Sequence, residues 1–256
     1  LTGEASDDLV VVESGANRPG ETAALARVAQ PDMAVVTSIG EEHLEFFGDV
    51  KSVAREEFSL LPAMAHRAFV ALSTQAAPYA PSPALEKITA LTYGLEEEAN
   101  LRATSVTAAP DGLRFTVNDR TEYFIPVLGK YNVVNALAAV AIGMRFRMTP
   151  AEIAAGLQNV KLPPMRMQRS VLGDITLIND AYNANPSSMR IALGVMDGLP
   201  QPGRRVLVLG DMRELGMEST RCHQALGPDA VSSTAQLIVA RSAMVRGTRR
   251  GRSHAC

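Results

Sequence analysis

The amino-terminal part of the sequence contains two short apolar runs separated by a helical segment, and this order limits the possible folds. Residues 9–12 form an uninterrupted apolar run, and residues 33–37 form a second one that is rich in β-branched side chains. Residues 21–29 between them have a helical composition, and Pro31 ends that helix before the second run begins. Strand, helix and strand within about thirty residues predict a parallel βαβ unit, which is typical of the α/β class.

Each of these predicted strands continues into a loop with charged side chains. Glu13 directly follows the first strand, and a glutamate-rich loop, residues 40–43, follows the second and ends in His43. Strands of a parallel unit point the same way, so we expect both loops at the edge of the sheet where ligands bind. A carboxylate and an imidazole there could share a divalent cation, although Mg²⁺ prefers oxygen ligands. A structural salt bridge explains the same residues as well as a metal site does.

Beyond this unit, helical and strand-like segments alternate. A helix is predicted over residues 50–65, where apolar side chains recur at three- and four-residue intervals, and a strand over residues 68–72. Three short alternating runs within residues 102–127 predict a small antiparallel meander. Asn132 is the expected N-cap of the next helix, and Thr149 begins the following one with a capping box.

The most favourable linker lies at residues 162–168, where two prolines stiffen the chain. It separates a predicted domain of residues 1–162 from a second one of residues 163–240. We expect His223 on the surface of a helix in this second domain. Its predicted buried strands are residues 175–178, 205–209 and 237–240.

Composition excludes several classes of protein. The 256 residues can form one large domain or two ordinary ones, and contents of 46% hydrophobic and 20% charged residues are typical of a globular protein. No apolar run approaches the ~18 residues of a membrane span, and the first residues do not form a signal peptide. The net charge of −2 argues against nucleic acid as a partner. Cys222 and Cys256 are too few for a disulfide framework, which favours the cytoplasm.

Two stretches carry a resemblance to a known family. Residues 12–21 (VESGANRPGE) and 37–49 (TSIGEEHLEFFGD) together resemble the central domain of the Mur ligases. The resemblance implies a central domain with a mostly parallel sheet, helices and a small antiparallel meander, followed by a truncated Rossmann-like carboxyl-terminal domain. It also implies that Glu13 and His43 bind the Mg²⁺ ions around the ATP phosphates. Glu57 occupies the position of a carbamylated lysine that helps to bind the second Mg²⁺ in similar enzymes. An equally acceptable alternative is that Glu57 faces solvent on the helix and binds no metal.

The resemblance further implies an ATP site. Asn132 and Asn135 match asparagines near the adenine, and Arg166 matches a hinge arginine that reaches the phosphates. Asp180 matches an aspartate that contacts the ribose, and Asn183 belongs to the same stretch. Glu57 and Arg166 are accordingly the expected catalytic residues. Helix capping and turn formation would explain the asparagines equally well.

The motifs DAYNANPSSM (residues 180–189) and GDMRELG (residues 210–216) are similar to one branch of the family. That branch joins D-alanyl-D-alanine to UDP-N-acetylmuramoyl-tripeptide through an acyl phosphate, and the second motif is expected to face the cleft near the dipeptide. We expect a monomer with these two substrates, ATP and Mg²⁺. The alternatives are another Mur-type or folylpolyglutamate-type ligase, or a non-catalytic fragment that binds nucleotide.

Two features depart from the family. The sequence has no glycine-rich phosphate loop ending in Gly-Lys-Thr or Gly-Lys-Ser, and we expect that the uridine-nucleotide-binding domain of the family is missing as well. We therefore expect a fragment that is inactive on its own. Residues 241–256 contain five arginines and no acidic residue. A basic tail of this kind could bind nucleic acid, but it lacks apolar periodicity and is expected to lie outside the native fold.

Overall fold

The computed structural model describes residues 9–65, 68–86, 88–109, 111–199 and 203–240. The predicted basic tail, residues 241–256, lies outside the described residues. The strands are β1 (Met33–Val36), β2 (Phe69–Ser73), β3 (Thr89–Gly94), β4 (Leu101–Ala109), β5 (Gly112–Val117), β6 (Thr121–Ile125), β7 (Gln168–Leu172), β8 (Ile175–Asn179), β9 (Val206–Leu209) and β10 (Leu237–Ala240). The α-helices are α1 (Glu21–Ala29), α2 (Leu44–Phe47), α3 (Val50–Glu57), α4 (Ser82–Leu85), α5 (Tyr131–Arg145), α6 (Pro150–Gln158), α7 (Pro186–Gly198) and α8 (Ser219–Ser232), with 3₁₀-helices at Phe58–Ala63, Ala77–Tyr79 and Gly216–Glu218.

The described part of the amino-terminal region, residues 9–162, is built around a six-stranded sheet in the order β1-β2-β3-β4-β5-β6. Strands β1 to β4 are parallel, whereas β4, β5 and β6 form an antiparallel meander. The meander is therefore confirmed, and it continues the parallel sheet because β4 also pairs with β3. The predicted α/β architecture, a mostly parallel sheet with helices and a small meander, is confirmed.

Strand β2 shows why the sheet has two covered faces. All five of its residues are buried, as expected for a parallel strand with helices on both sides. Phe69 and Ala71 belong to the core that includes buried residues of α5 and α6. Val70 and Leu72 point to the opposite face, because successive side chains alternate, and they pack with residues of α3 and of the 3₁₀-helix that follows it.

The predicted strand at residues 9–12 is wrong. These side chains are between 47% and 86% exposed, and no described strand pairs with them. A strand forms only where a neighbour accepts and donates the ladder hydrogen bonds, and in the described structure the free edge of β1 has no such partner. The parallel unit of this region is instead β1 and β2, connected through α2 and α3.

Two helix predictions differ from the structure in detail. The helix expected over residues 50–65 ends as an α-helix at Glu57 and continues as a 3₁₀-helix to Ala63. Asn132 is not an N-cap, because Lys130 takes that position and the Asn132 side chain donates to the Leu128 carbonyl at 2.6 Å. The capping box at Thr149 is confirmed.

The described part of the carboxyl-terminal region, residues 163–240, contains two small sheets. Strands β9 and β10 pair in parallel across α8, which is the crossover unit of a Rossmann-like domain. The strand predicted at residues 175–178 is present as β8, but its predicted burial is wrong. Ile175 is 66% exposed, because β8 pairs only with β7 in the described part of this region and no helix covers that face. Val208 is likewise exposed, so β9 is partly buried on one face and exposed on the other.

One apolar core joins the two regions. Leu44, Phe47 and Val53 of the amino-terminal region pack in the same cluster as Leu215 and Leu226 of the carboxyl-terminal region. We call this cluster the shared core. It brings the loop after β1 close to the loop after β9. Among the described helices, none is long and apolar enough to cross a membrane.

Candidate active site

The loop that ends in His43 is fixed at the carboxyl end of the parallel sheet. The Ile39 backbone N–H donates to the Gln75 side-chain oxygen at 2.8 Å, and the Gln75 amide donates to the Ile39 carbonyl. Ile39 itself is fully buried. Gln75 lies just beyond β2, so the loop after β1 is tied to the end of its neighbouring strand. This is the sheet edge at which the sequence predicted a ligand site.

His43 contacts a residue from the other region of the chain. Its Nδ1 lies 2.5 Å from a carboxylate oxygen of Glu214, which belongs to the loop after β9. The backbone N–H of Glu45 also donates to the Glu214 carbonyl at 3.1 Å. Arg221 of α8 forms a further ion pair with Glu41 at 3.1 Å. The predicted metal loop is therefore held by three contacts with the carboxyl-terminal region.

Two carboxylates share the electrostatic environment of His43. Burial raises the pKa of Glu57 to about 7, the charges of Glu42 and Glu56 add to the increase, and His43 opposes it. Burial also raises the pKa of Glu42, again with His43 acting in the opposite direction. The structure thus brings Glu42, His43 and Glu57 together, and Glu57 is partly buried rather than facing solvent.

Glu13 is not part of this group. It is exposed in the segment that was expected to form a strand, and no hydrogen bond, ion pair or electrostatic interaction links it to His43 or Glu57 within the described residues. In the same part of the chain, no group of three or more His, Cys, Asp or Glu residues is arranged to hold a metal ion. The set predicted from the sequence, Glu13, His43 and Glu57, is therefore not assembled.

The chemistry of the group nevertheless fits a divalent cation. Two partly buried carboxylates with raised pKa values repel each other, and a cation between them would relieve that repulsion. Mg²⁺ usually takes only one or two carboxylates and completes its coordination with water and substrate phosphates. Two carboxylates and an imidazole are donor types that suit a site of that kind, whereas the described residues form no cage of three or more protein ligands.

A second group forms where the linker meets the DAYNANPSSM motif. The Arg166 guanidinium lies over the Tyr182 ring at 4.3 Å from its centroid. The Met167 N–H donates to the Asp180 carboxylate at 2.9 Å, and the Tyr182 N–H donates to the Met165 carbonyl at 3.2 Å. These contacts hold Arg166 and Asp180, two predicted nucleotide-site residues, next to each other.

The start of α5 faces the same group. Burial raises the pKa of the Tyr131 hydroxyl; the Asn132 side chain lowers it, and the charges of Asp180 and Arg166 act on it in opposite directions. Burial also raises the pKa of Asp180, against the Met167 N–H and Arg166. Asn132, Arg166 and Asp180 are therefore neighbours of one tyrosine that the sequence did not single out.

The two remaining predicted residues are placed differently. The Asn135 amide donates to the Asn132 side-chain oxygen at 3.2 Å, which connects it to the Tyr131 group. Among the described residues, the Asn183 side chain accepts a hydrogen bond from the N–H of its neighbour, Ala184, at 2.8 Å and from no other group. The structure brings Asn135 to the group and gives Asn183 a local turn contact.

A cleft of about 400 Å³ opens beside the linker. Lys161, Arg166 and Arg169 line it together with Leu128, and Asp111 is the acidic residue among its lining. An excess of cationic side chains suits an anionic ligand such as a phosphate group. The sequence did not point to Lys161, because an isolated lysine before a proline pair carries no local signal.

His223 has a different role from the one expected. It is only 2% exposed, so the prediction that it lies on a helix surface is wrong. The Met212 N–H donates to its Nε2 at 3.0 Å, and its Nδ1 lies 2.7 Å from the Ser219 carbonyl. His223 thereby fastens the loop that carries Glu214 to helix α8.

Two family profiles match the sequence. The Mur ligase middle domain matches residues 2–143, and the Mur ligase glutamate ligase domain matches residues 165–253. The two matches follow the division of the chain into its amino-terminal and carboxyl-terminal regions.

Individual relatives match most of the chain. The UDP-N-acetylmuramoyl-tripeptide–D-alanyl-D-alanine ligase of Bacillus subtilis (strain 168) is 33% identical over 88% of this chain and 50% of its own length. A crystal structure of MurF from Acinetobacter baumannii is 29% identical with a TM-score of 0.85, over 94% of this chain and 54% of that one. MurF from Thermotoga maritima in complex with ADP shares the fold, with a TM-score of 0.78 at 19% identity over 90% and 53% of the two chains. The chain spans about half the length of the curated relatives that it matches.

Proposed function

The chain belongs to the Mur ligase family, and on that basis we propose that it takes part in the ATP-dependent ligation of D-alanyl-D-alanine to UDP-N-acetylmuramoyl-tripeptide. The named Bacillus relative carries out this reaction by its name and aligns with nearly nine-tenths of the chain. The structural observation that carries the proposal is the placement of His43 at the carboxyl end of the parallel sheet, where it contacts Glu214 of the GDMRELG motif and where its charge acts on Glu42 and Glu57.

In this reaction ATP transfers its terminal phosphoryl group to the tripeptide carboxylate, which releases ADP and forms an acyl phosphate. The amine of D-alanyl-D-alanine then attacks the acyl carbon, and phosphate leaves as the new amide bond forms. The protein has to position the reacting groups and to stabilise the negative charge on the phosphoryl oxygens. The rate of such a reaction depends on how precisely the groups are positioned and not on a single nucleophilic side chain of the protein.

We assign the binding of Mg²⁺ to His43 and Glu57, with Glu42 as an additional acidic group. When bound, the ion would offset negative charge on the phosphate oxygens. Glu13 keeps its proposed role as a ligand only if the segment of residues 9–12 moves to the sheet edge. The raised pKa values of Glu42 and Glu57 support a cation at this point, because burial disfavours the charged carboxylates and the opposing charge of His43 does not offset it fully.

We assign the binding of ATP to the linker group. Arg166 would contact the phosphates, and Asp180 would accept hydrogen bonds from the ribose hydroxyls. Asn132 and Asn135 would border the adenine, with Asn183 nearby. The support is that Arg166 and Asp180 are held together on one side of the linker, beside the start of α5 and a cleft rich in cationic side chains.

The proposal also covers the setting of the reaction. We propose two domains, residues 1–162 and 163–240, in a monomer located in the cytoplasm. The boundary agrees with the gap between the two family matches. The buried, unpaired Cys222 is compatible with a reducing compartment.

The test is a chimera, because the 256-residue sequence has no Gly-Lys-Thr or Gly-Lys-Ser loop and is expected to be inactive alone. The first half of the Bacillus ligase would be joined to this chain at the start of the matched region. We expect phosphate release that requires both UDP-N-acetylmuramoyl-tripeptide and D-alanyl-D-alanine. Faster turnover with glutamate or with a single amino acid would contradict the proposed substrate and favour another ligase of the family.

A variant pair would test the nucleotide site in the same chimera. Arg166→Ala should reduce turnover by at least about tenfold, because removing a charged contact to phosphate costs about 1.5–3 kcal/mol. Arg204→Ala, an exposed arginine of the same region, is the matched control and should leave turnover unchanged. Equal effects of the two substitutions would contradict the role of Arg166.

A further inference from the structure

The two nitrogens of the His43 imidazole have different environments. Nδ1 lies 2.5 Å from a Glu214 carboxylate oxygen, and Nε2 has no hydrogen-bond partner among the described residues. A carboxylate oxygen accepts hydrogen bonds, so the proton of a neutral imidazole belongs on Nδ1. The lone pair of Nε2 is then available to a ligand.

Glu214 is held firmly although its side chain is half exposed. Its backbone adopts the left-handed region with a φ of 59°, and its carbonyl accepts from the Glu45 N–H at 3.1 Å. The next residue, Leu215, is buried in the shared core. A left-handed conformation is unfavourable for a residue with a Cβ, so the contacts around Glu214 must hold it in place.

We propose that Glu214 is a positioning residue for the cation site, an inference that rests on the proposed function of His43. Its carboxylate fixes the tautomer and the ring orientation of His43 and directs Nε2 towards the cation. Histidine ligands of metals commonly donate their other N–H to a carboxylate, which also makes the coordinating nitrogen more basic. Glu214 lies 171 positions from His43 in the sequence and in the other region of the chain. Cation affinity therefore depends on the contact between the two regions.

A simple docking contact is the competing explanation for the pair. The ion pair between Arg221 and Glu41 provides the matched control, because it joins the loop of His43 to the same carboxyl-terminal region at 3.1 Å without touching His43. If Glu214 only helped to dock the regions, loss of Arg221 would have the same effect on cation binding. If Glu214 orients the imidazole, removal of Glu214 weakens cation binding and removal of Arg221 does not.

The experiment uses the 256-residue chain and Mn²⁺ alone, with binding followed by electron paramagnetic resonance. Removal of a carboxylate behind a metal-bound histidine typically weakens binding 10- to 100-fold, so we expect a loss of about this size for Glu214→Ala. Glu214→Gln retains a side-chain oxygen that can accept from Nδ1–H and should restore part of the affinity. Arg221→Ala should change the affinity by less than about twofold.

Nitrogen NMR of the chain without metal gives an independent readout. The chain has four histidines, so a His43→Ala spectrum identifies the signals of His43. In the neutral imidazole we expect the Nδ1–H tautomer in the wild type and in Glu214→Gln, and a mixture in Glu214→Ala.

Two results would overturn the proposal: unchanged Mn²⁺ affinity and tautomer in Glu214→Ala, or an equal loss of affinity in Arg221→Ala. A wild-type chain that binds no Mn²⁺ would contradict the proposed metal site of His43 instead. In that case the NMR comparison alone decides whether Glu214 orients the imidazole, so the two failures are distinguishable.

Discussion

Replacing His223 with phenylalanine would test how the loop that carries Glu214 is held. His223 accepts a hydrogen bond from the Met212 N–H and makes a second one through Nδ1 with the Ser219 carbonyl. Phenylalanine has a similar shape and a slightly larger volume, so the substitution removes both hydrogen bonds without leaving a large cavity. Met212 is buried, and water cannot easily replace its lost partner.

The expected effect follows from these two bonds. The Met212 N–H would become a buried donor without an acceptor, which costs about 1–3 kcal/mol. The Ser219 carbonyl is at the start of α8 and can still accept within the helix, so its contribution is smaller. We expect the free energy of opening the loop to fall by about 2 kcal/mol, which corresponds to roughly a 30-fold change in an opening equilibrium.

Native-state hydrogen exchange measures this directly. The amides of residues 212–215 should exchange about 30-fold faster in His223→Phe than in the wild type. Gln224→Ala changes an exposed neighbour on the same helix and should leave these amides within about 0.5 kcal/mol of the wild type. Unchanged exchange in His223→Phe would refute the conclusion that this histidine fastens the loop.

Three further predictions concern other contacts. Glu56 accepts hydrogen bonds from the backbone N–H groups of Gly20 and Thr22 at the start of α1. Glu56→Ala should therefore destabilise the chain by about 2–3 kcal/mol in urea unfolding and speed hydrogen exchange of the first amides of α1. Exchange of these amides at the wild-type rate would contradict this. Gly216 has a φ of +52°, and a Cβ added there would lie 3.0 Å from the Cα of Glu45. Gly216→Ala should therefore lower Tm by several degrees, whereas Gly210→Ala, where a Cβ would meet open space, should not. Equal shifts of Tm in the two variants would argue against the close approach. Burial raises the pKa of Asp180, so the folded chain holds this proton more tightly than the unfolded chain and loses stability as the pH rises through that pKa. In urea unfolding, the free energy of unfolding of Asp180→Asn should therefore rise relative to that of the wild type between about pH 3 and pH 7. A difference between the two proteins that stays constant with pH would contradict this.

Local patterns predicted the main sheet well, because the side-chain period of a strand is a property of a few consecutive residues. Four of the five residues of β2 form one apolar run, and each strand of the meander shows alternation that the structure largely keeps. The capping box at Thr149 was equally predictable, since its hydrogen bonds lie within four residues. These elements need no information from distant parts of the chain.

The same patterns could not predict the neighbours of a strand. Residues 9–12 are apolar and residues 175–178 are apolar except for Thr176, yet the first segment forms no described strand and the second leaves Ile175 and Leu177 exposed in β8. An apolar run indicates that burial is favourable, but the partner that provides it lies elsewhere in the chain. The position assigned to Glu13 depended on such a partner, and for that reason the structure does not bring Glu13 to His43.

The candidate site was predictable in its residue types and not in its pairings. The sequence pointed to His43, Glu57, Arg166 and Asp180, and the structure gathers them into two groups. The contact between Glu214 and His43 could not be predicted, because no local pattern connects two residues 171 positions apart. The signal that could have identified it is the acidic loop after β9, which repeats the strand-to-loop design seen at His43.

The shared core explains how His43 and Glu214 are brought together. Leu44 directly follows His43, Phe47 lies one helical turn further on, and Leu215 directly follows Glu214. All three are buried in the same cluster. Burial of these side chains in one core contributes several kcal/mol by the area removed from water, far more than an exposed ion pair of 0–1 kcal/mol. The contact between His43 and Glu214 is therefore positioned by apolar packing, and the hydrogen bond sets its orientation. A substitution that weakens the core, such as Leu215→Ala, should consequently disturb the imidazole as much as removal of Glu214 itself, although it leaves every polar group of the site in place.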